Sequence, residues 1–163
     1  MDLIYEDVDT PIGSFRVAER EGRVCAAAFG DGWSNVAARV ERRLGPISWK
    51  RGETTSAPAL AAYFRGELNA LDRIEVDAAG SPFQASIWSR LRDIHPGTTV
   101  SYSELASAVG SPRASRAVGS ANAVNPLCLI VPCHRVVRAD GTPGGYAGGP
   151  ERKDWLLRHE SGA

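Results

Sequence analysis

Four small residues, Ala78 to Ser81, divide the sequence into halves with different hydrophobic periods. Before the break, apolar residues come in strand-length runs separated by turn residues. "LIYEDVD", "TPIGS", "FRVAE", "EGR" and "VCAAAF" read as a small antiparallel meander. A helix is expected over "WSNVAARVERRL", where Val36, Val40 and Leu44 recur at helical spacing. A second follows in "APALAAYFRGEL", then a short strand and turn in "RIEVDAAGS". After the break the pattern turns helical. Ser81 as N-cap and Pro82 at the first helical position open "SPFQASIWSRLRDI". Phe83, Ile87, Leu91 and Ile94 form its apolar stripe, and "HPG" stops it. The expected fold is α+β. A small N-terminal antiparallel sheet with helices spans 1–79, and a mostly helical C-terminal domain spans 80–163.

At 163 residues, the chain can bury a core without disulfides or metals. The longest uninterrupted aliphatic stretch, Leu127–Val131, is far too short to cross a bilayer, so no membrane partner is expected. The N-terminal "MDLIYEDVDT" is acidic and lacks the regions of a signal peptide. Three cysteines (25, 128 and 133) cannot all pair within the chain, and a reducing, cytoplasmic setting is expected. Net charge is zero, but residues 1–80 carry −3 and residues 81–163 carry +3. Six arginines face only Asp93 and Glu104 between Gln84 and Arg138, so contact with a polyanion would be local to that half.

"SELASAV" begins as a capping box, with Ser101 or Ser103 as candidate cap and Glu104 in the first turn. A "GSP" turn and a second short helix in "RASRAVGSANA" complete a helix-turn-helix pattern, although a plain helical hairpin is the more common source of such a pattern. Ala114, Ala117, Gly119, Ser120 and Ala121 give the second helix little bulk, while Arg113 and Arg116 project charge. Such a helix suits either close approach to a minor groove or tight packing in a core.

The chemistry concentrates in "NPLCLIVPCHRVV". Cys128 continues an apolar run and reads as structural, as does Cys25 in its strand. Zinc would need a fourth ligand beside Cys128, Cys133 and His134, and none is evident. Cys128 and Cys133 also lack the two-residue spacing of a dithiol pair. Cys133 follows Pro132, which ends the strand, so its thiol can face a cleft where His134 and Arg135 raise the local potential. Adjacent Cys and His side chains do not generally meet, so a water or third group must relay the proton, with Glu160 as the available carboxylate orienter.

"SPFQASIWSRLRDIHPGTTVSYSELA", "RAVGSANAVNP", "IVPCHRVV" and "GYAGG…KDWLLRHE" together resemble the O6-alkylguanine-DNA alkyltransferases over residues 81–160. The N-terminal half is similar only in "TPIG" and "YFRGEL". The resemblance implies a ribonuclease H-like domain over residues 1–79, then a DNA-binding and alkyl-acceptor domain over 80–163. It also implies irreversible, single-turnover transfer of an alkyl group from O6-alkylguanine in duplex DNA to Cys133, after base flipping through the minor groove. His134, acting through a water and supported by Glu160, would take the thiol proton. Asn125 would brace the turn. Tyr102 would rotate the nucleotide and donate a proton to the guanine ring.

Arg116 would fill the gap left in the duplex, with Arg113, Ala117 and Gly119 on the same DNA-facing helix. The Ala147 N–H, after Tyr146, would bond O6, and the carbonyls of Cys133 and Val136 would read the exocyclic amine. No cofactor and no metal are implied, since residues 1–80 hold only Cys25 and no histidine for the zinc site some members carry. The implied partner is double-stranded DNA containing O6-alkylguanine. The protein would be a monomer in solution, with O4-alkylthymine and side-by-side assembly on DNA left open. Two other readings compete: a lesion-binding relative without the cysteine, against which Cys133 stands, and a helix-turn-helix regulator, which would need longer side chains on its reading helix.

Overall fold

The computed structural model describes residues 1–162 of the chain. They form two compact units. One holds Met1–Ala79 with Pro126–Ile130, and the other holds Gly80–Asn125 and the chain from Val131 onward.

In the first unit, β1 (Asp2–Thr10), β2 (Gly13–Arg20) and β3 (Arg23–Phe29) form the antiparallel meander. Glu21 and Gly22, with φ of 54° and 77°, make the tight β2–β3 turn, where two left-handed residues match the strand twist. Helix α1 (Trp33–Leu44) lays Val36 and Val40 on a floor of Ala18, Ala26 and Ala28. Those alanines admit the helix closely, and each buried valine contributes roughly 1.5–3 kcal/mol. Strand β4 (Ser48–Arg51) then pairs parallel to β1, giving the sheet order β3-β2-β1-β4. Its four residues are too few to show a period. The strand expected in "RIEVDAAGS" reduces to one bridge, Val24 with Val76.

Helix α2 (Ala57–Phe64) starts without a side-chain cap from its own Ser56. Buried Glu19 on β2 replaces that cap, accepting from Thr55 N at 3.0 Å and Ser56 N at 2.8 Å. Pro126–Ile130 joins this unit through β3. Ala27 N donates to Pro126 O at 2.9 Å, and Cys128 N donates to Ala27 O at 3.1 Å.

The second unit opens with α3 (Pro82–Leu91), whose Ser81–Gln84 capping box has both reciprocal bonds. Phe83 is only half-buried, and the helix buries Trp88 beside Ile87 and Leu91. The Trp88 indole donates to Ala121 O at 2.9 Å, which ties α3 to a later helix. Strand β5 (Val100–Ser101) leads into α4 (Tyr102–Ala108), capped by Ser101. Gly110, at φ 78°, turns the chain toward α5 (Ser115–Ala123). Strand β6 (Val136–Val137) pairs parallel with β5, and α6 (Pro150–Ser161) ends at a left-handed Gly162. Among the described residues no helix is long and apolar enough to cross a membrane.

Candidate active site

The strand expected before Pro132 does not form: Leu127 makes a single bridge, residues 128–131 run as turns and a bend with Leu129 at φ 73°, and residues Cys133–Arg135 coil into one tight 3-10 turn. Cys133 N donates to Val131 O at 2.7 Å, and Arg135 N donates to Pro132 O at 3.0 Å. The β5–β6 pairing sets Ser101 beside Val137, which delivers the start of α4, and so Tyr102, to the same end of the unit. Asn125 Nδ2 donates to Val131 O at 2.8 Å, crossing the excursion that the chain makes between them.

Cys133, His134 and Arg135 are all buried. Burial pushes the Cys133 thiol up from its ordinary value, while a hydrogen bond from Asn125 and the Lys153 charge pull it back. Burial pushes His134 down, and Glu160 opposes that shift. His134 Nε2 lies 2.8 Å from Glu160 Oε2. An ionised carboxylate only accepts, so Nε2 carries the proton and Nδ1 is left as the lone-pair nitrogen. That Nδ1 is buried with no hydrogen-bond partner among the described residues.

Glu160 is the hub of this half. Arg135 grips it with Nε on Oε1 and Nη2 on Oε2, both at 2.8 Å, and Arg135 Nη1 donates to Ile94 O at 2.6 Å. Against the desolvation that burial imposes, the Arg135 and His134 bonds hold the Glu160 carboxyl well below the usual range. Lys153, fully buried on α6, donates to Val136 O at 2.7 Å and to Gly145 O at 3.1 Å. Its ammonium thus ties β6 to the loop before α6, and burial lowers its pKa to about 8.

Tyr102 is half-buried, its phenol raised by burial and by the nearby Cys133 charge. A Cβ on Gly144, at φ 76°, would sit 3.1 Å from the Tyr102 hydroxyl, so only glycine lets the loop close over that ring. Tyr146 in the same loop sets its ring edge-on to His134 at 6.3 Å between centroids, and Ala147 beside it is exposed. Val136 is buried, with its carbonyl already accepting from Lys153.

The expected residues therefore separate into two groups. Cys133, His134, Glu160, Asn125, Tyr102, Val136 and Tyr146 converge around one turn. Arg113, Arg116 and Ala117 are exposed outside that network, and Gly119 is half-buried near the Tyr102 ring. Helix α5 shows two faces: Val118, Ala121 and Asn122 are buried, while Arg116, Ala117, Ser120 and Ala123 are exposed. Close packing and an open small-residue surface coexist on it, so neither reading of that helix excluded the other.

Sequence reasoning missed three contributors. Arg135 is consumed by Glu160 rather than left to charge the thiol's surroundings. Lys153 shares the spacing of Leu156 and Glu160 along α6, a buried-face signal that its charge obscured. Asn122 donates through Nδ2 to Cys133 O at 3.3 Å, and nothing in its local sequence marks it.

A family model described as "6-O-methylguanine DNA methyltransferase, DNA binding domain" matches residues 82–162. A methylated-DNA–protein-cysteine methyltransferase of Salmonella typhimurium is 40% identical over 97% of this chain and 95% of its own. That of Mycolicibacterium paratuberculosis is 41% identical over 96% of this chain and 91% of its own. The crystal structure of Mycobacterium tuberculosis O6-methylguanine methyltransferase superposes with a TM-score of 0.82 at 35% identity, covering 98% of this chain and 93% of that one. The same mycobacterial protein in complex with DNA is similar at a TM-score of 0.82, 34% identity and the same coverage.

Proposed function

The chain belongs to the O6-methylguanine DNA methyltransferase family, and on that premise we propose that Cys133 is the residue that takes the alkyl group. The activity is that of a methylated-DNA–protein-cysteine methyltransferase: DNA repair by alkyl transfer from O6-methylguanine to a cysteine of the protein itself.

Glu160 holds the proton on His134 Nε2, and burial keeps the ring neutral near neutral pH, so Nδ1 is an available base. A water bridging Nδ1 and the thiol carries the proton away. The thiolate attacks the alkyl carbon in line, the S–C bond forms, and the C–O6 bond breaks with its electron pair left on the base. Tyr102 gives its hydroxyl proton to the guanine ring, and the proton released from Cys133 restores the balance through solvent. The product thioether has no leaving group that water can displace, so each chain acts once.

A base inside a duplex is out of reach of a buried thiol, and we assign its extrusion to the α4–turn–α5 pair acting as a helix-turn-helix. The exposed face of α5 fits a minor groove because Ala117, Ser120 and Ala123 allow close approach. Arg116 fills the space the nucleotide leaves, Arg113 meets phosphate, and Tyr102 assists the rotation. In the pocket the Ala147 N–H bonds O6. Val136 O keeps one lone pair for the exocyclic amine, whereas Cys133 O is already committed to Val136 N and Asn122 Nδ2.

The observation that carries this reading is the buried, unpartnered His134 Nδ1 one residue from the Cys133 thiol, its tautomer fixed by Glu160. Its test is incubation with duplex DNA containing one O6-methylguanine, followed by mass spectrometry of the digested protein. One methyl group on the peptide carrying Cys133, with no second turnover, is expected. Methyl on Cys25 or Cys128 alone would refute it.

A further inference from the structure

Resting on the acceptor reading above, we propose that Arg135 is a positioning residue for His134. By cancelling the charge of Glu160 it leaves the ring an acceptor for its Nε2 proton but no counter-ion for a second proton. Arg135 Nε donates to Oε1 of Glu160 at 2.8 Å, and Nη2 shares Oε2 with His134 Nε2, each at 2.8 Å. One guanidinium thus covers both oxygens of the carboxylate, the forked contact that a lysine cannot make. A further arm, Nη1 on Ile94 O at 2.6 Å, holds the fork from its far side, just beyond α3. Solvent screens neither charge, since the Arg135 and Glu160 side chains are 4% and 0% exposed.

The consequence falls on His134. A lone carboxylate beside a buried imidazole would do two things. It would hold a proton on the nearer nitrogen and, as an opposite charge, it would favour the doubly protonated ring. For a base these conflict, because a ring that carries both protons cannot take one from the thiol. Arg135 separates the two effects. The Oε2 lone pair still fixes the proton on Nε2, while the guanidinium removes the net negative charge that would load Nδ1. The groups that bear on the ring are Glu160 and Lys153 from α6, Arg135 and Cys133 from its own turn, and the edge-on Tyr146. Burial pushes the ring down, Glu160 pushes it up, and the charges of Arg135 and Lys153 push it down again. Nδ1, buried and without a partner among the described residues, is the atom this arrangement keeps unprotonated.

The test is nitrogen-15 NMR of the histidine side chains in the full chain. His95 and His159 serve as internal references, and His134 is assigned by the signal lost in His134→Gln. The unmutated protein should show His134 protonated on Nε2 alone and taking its second proton only below the ordinary value of ~6.5. Arg135→Met leaves the carboxylate uncompensated and should raise that transition by roughly one pH unit or more. Arg135→Lys keeps a charge beside Glu160 and should bring the transition back toward the unmutated value. The acid limb of alkyl transfer from free O6-benzylguanine should move to higher pH in Arg135→Met alone. A merely structural arginine would change the folded fraction and move neither transition. A His134 transition unmoved by Arg135→Met, or moved as far by Arg135→Lys, would overturn the assignment. Should Arg135→Met not fold, the unmutated protein still decides. A His134 transition at or above ~6.5, or a neutral ring protonated on Nδ1, would overturn the assignment without any variant. Failure of the unmutated protein to take the benzyl group on Cys133 would instead sink the acceptor reading, on which the NMR titration does not depend.

Discussion

Replacing Glu160 by Gln tests how the buried charges divide their work. Glu160 accepts three bonds of 2.8 Å, two from Arg135 and one from His134, and its side chain is wholly withdrawn from solvent. A glutamine amide offers one acceptor oxygen where the carboxylate offered two, and its NH2 would face a donor. The Arg135 guanidinium, 4% exposed, keeps only the Ile94 carbonyl and loses its counter-charge. Breaking a buried pair on one side costs about 3–5 kcal/mol. Against a typical stability of about 5–15 kcal/mol that is a large fraction. Urea denaturation at neutral pH should therefore show Glu160→Gln with a much lower midpoint. The double variant Arg135→Met, Glu160→Leu removes both charges and should be less destabilised than the single one.

The pH dependence has a definite sign. The Glu160 carboxyl is held below its ordinary value, so its contribution is complete above the unfolded pKa near ~4.3 and is lost as pH falls toward the folded one. The gap between wild type and Glu160→Gln should then narrow in acid. A stability loss under about 1 kcal/mol at neutral pH, or a double variant worse than the single, would refute the claim that Arg135 depends on Glu160 for its burial.

Lys153 titrates at about 8 when folded, below its ordinary range, so the unfolded chain binds more protons above that pH and stability should rise as pH climbs from there toward 10. Lys153→Met should abolish that rise in a melting-temperature series, and an unchanged slope would contradict it. Arg116→Ala should slow repair of duplex O6-methylguanine while sparing reaction with free O6-benzylguanine, whereas Tyr102→Phe should slow both. Equal harm to both substrates by a folded Arg116→Ala protein would remove Arg116 from the flipping step. Ser81→Ala deletes the α3 capping bond and should cost about 1 kcal/mol in a urea titration without altering the transfer rate per folded molecule.

The elements with strong local signals were legible from the chain. Ser81, Pro82 and Gln84 announce the start of α3 without tertiary help, and Val36 and Val40 show the buried face of α1 by spacing alone. Strand β4 could not be seen this way, because four residues in a parallel edge pairing owe their conformation to β1 rather than to their own pattern. The same distinction runs through the site. Cys133 and His134 stand out as adjacent reactive residues after an apolar run. Arg135 and Lys153 did not, since charged side chains read as solvated until a buried carboxylate or a pair of carbonyls is found to receive them. Glu19 is the parallel case in the first unit. Its burial is comprehensible only once α2 is seen to lack a cap of its own.

Residues Pro126–Ile130 are part of the first unit's fold although they are translated some fifty positions after the rest of it. During synthesis, the outward-facing N–H and C=O of Ala27, which lies opposite Val17 in the sheet, therefore lack partners until Pro126 and Cys128 have left the ribosome. Cys133 follows Ile130 by three residues, so the moment at which the first unit can gain its last contacts is nearly the moment at which the Cys133 turn emerges. A fragment begun at residue 80 would lack that partner altogether, leaving five apolar residues with nothing to bury against, and aggregation rather than independent folding is the outcome such a truncation invites.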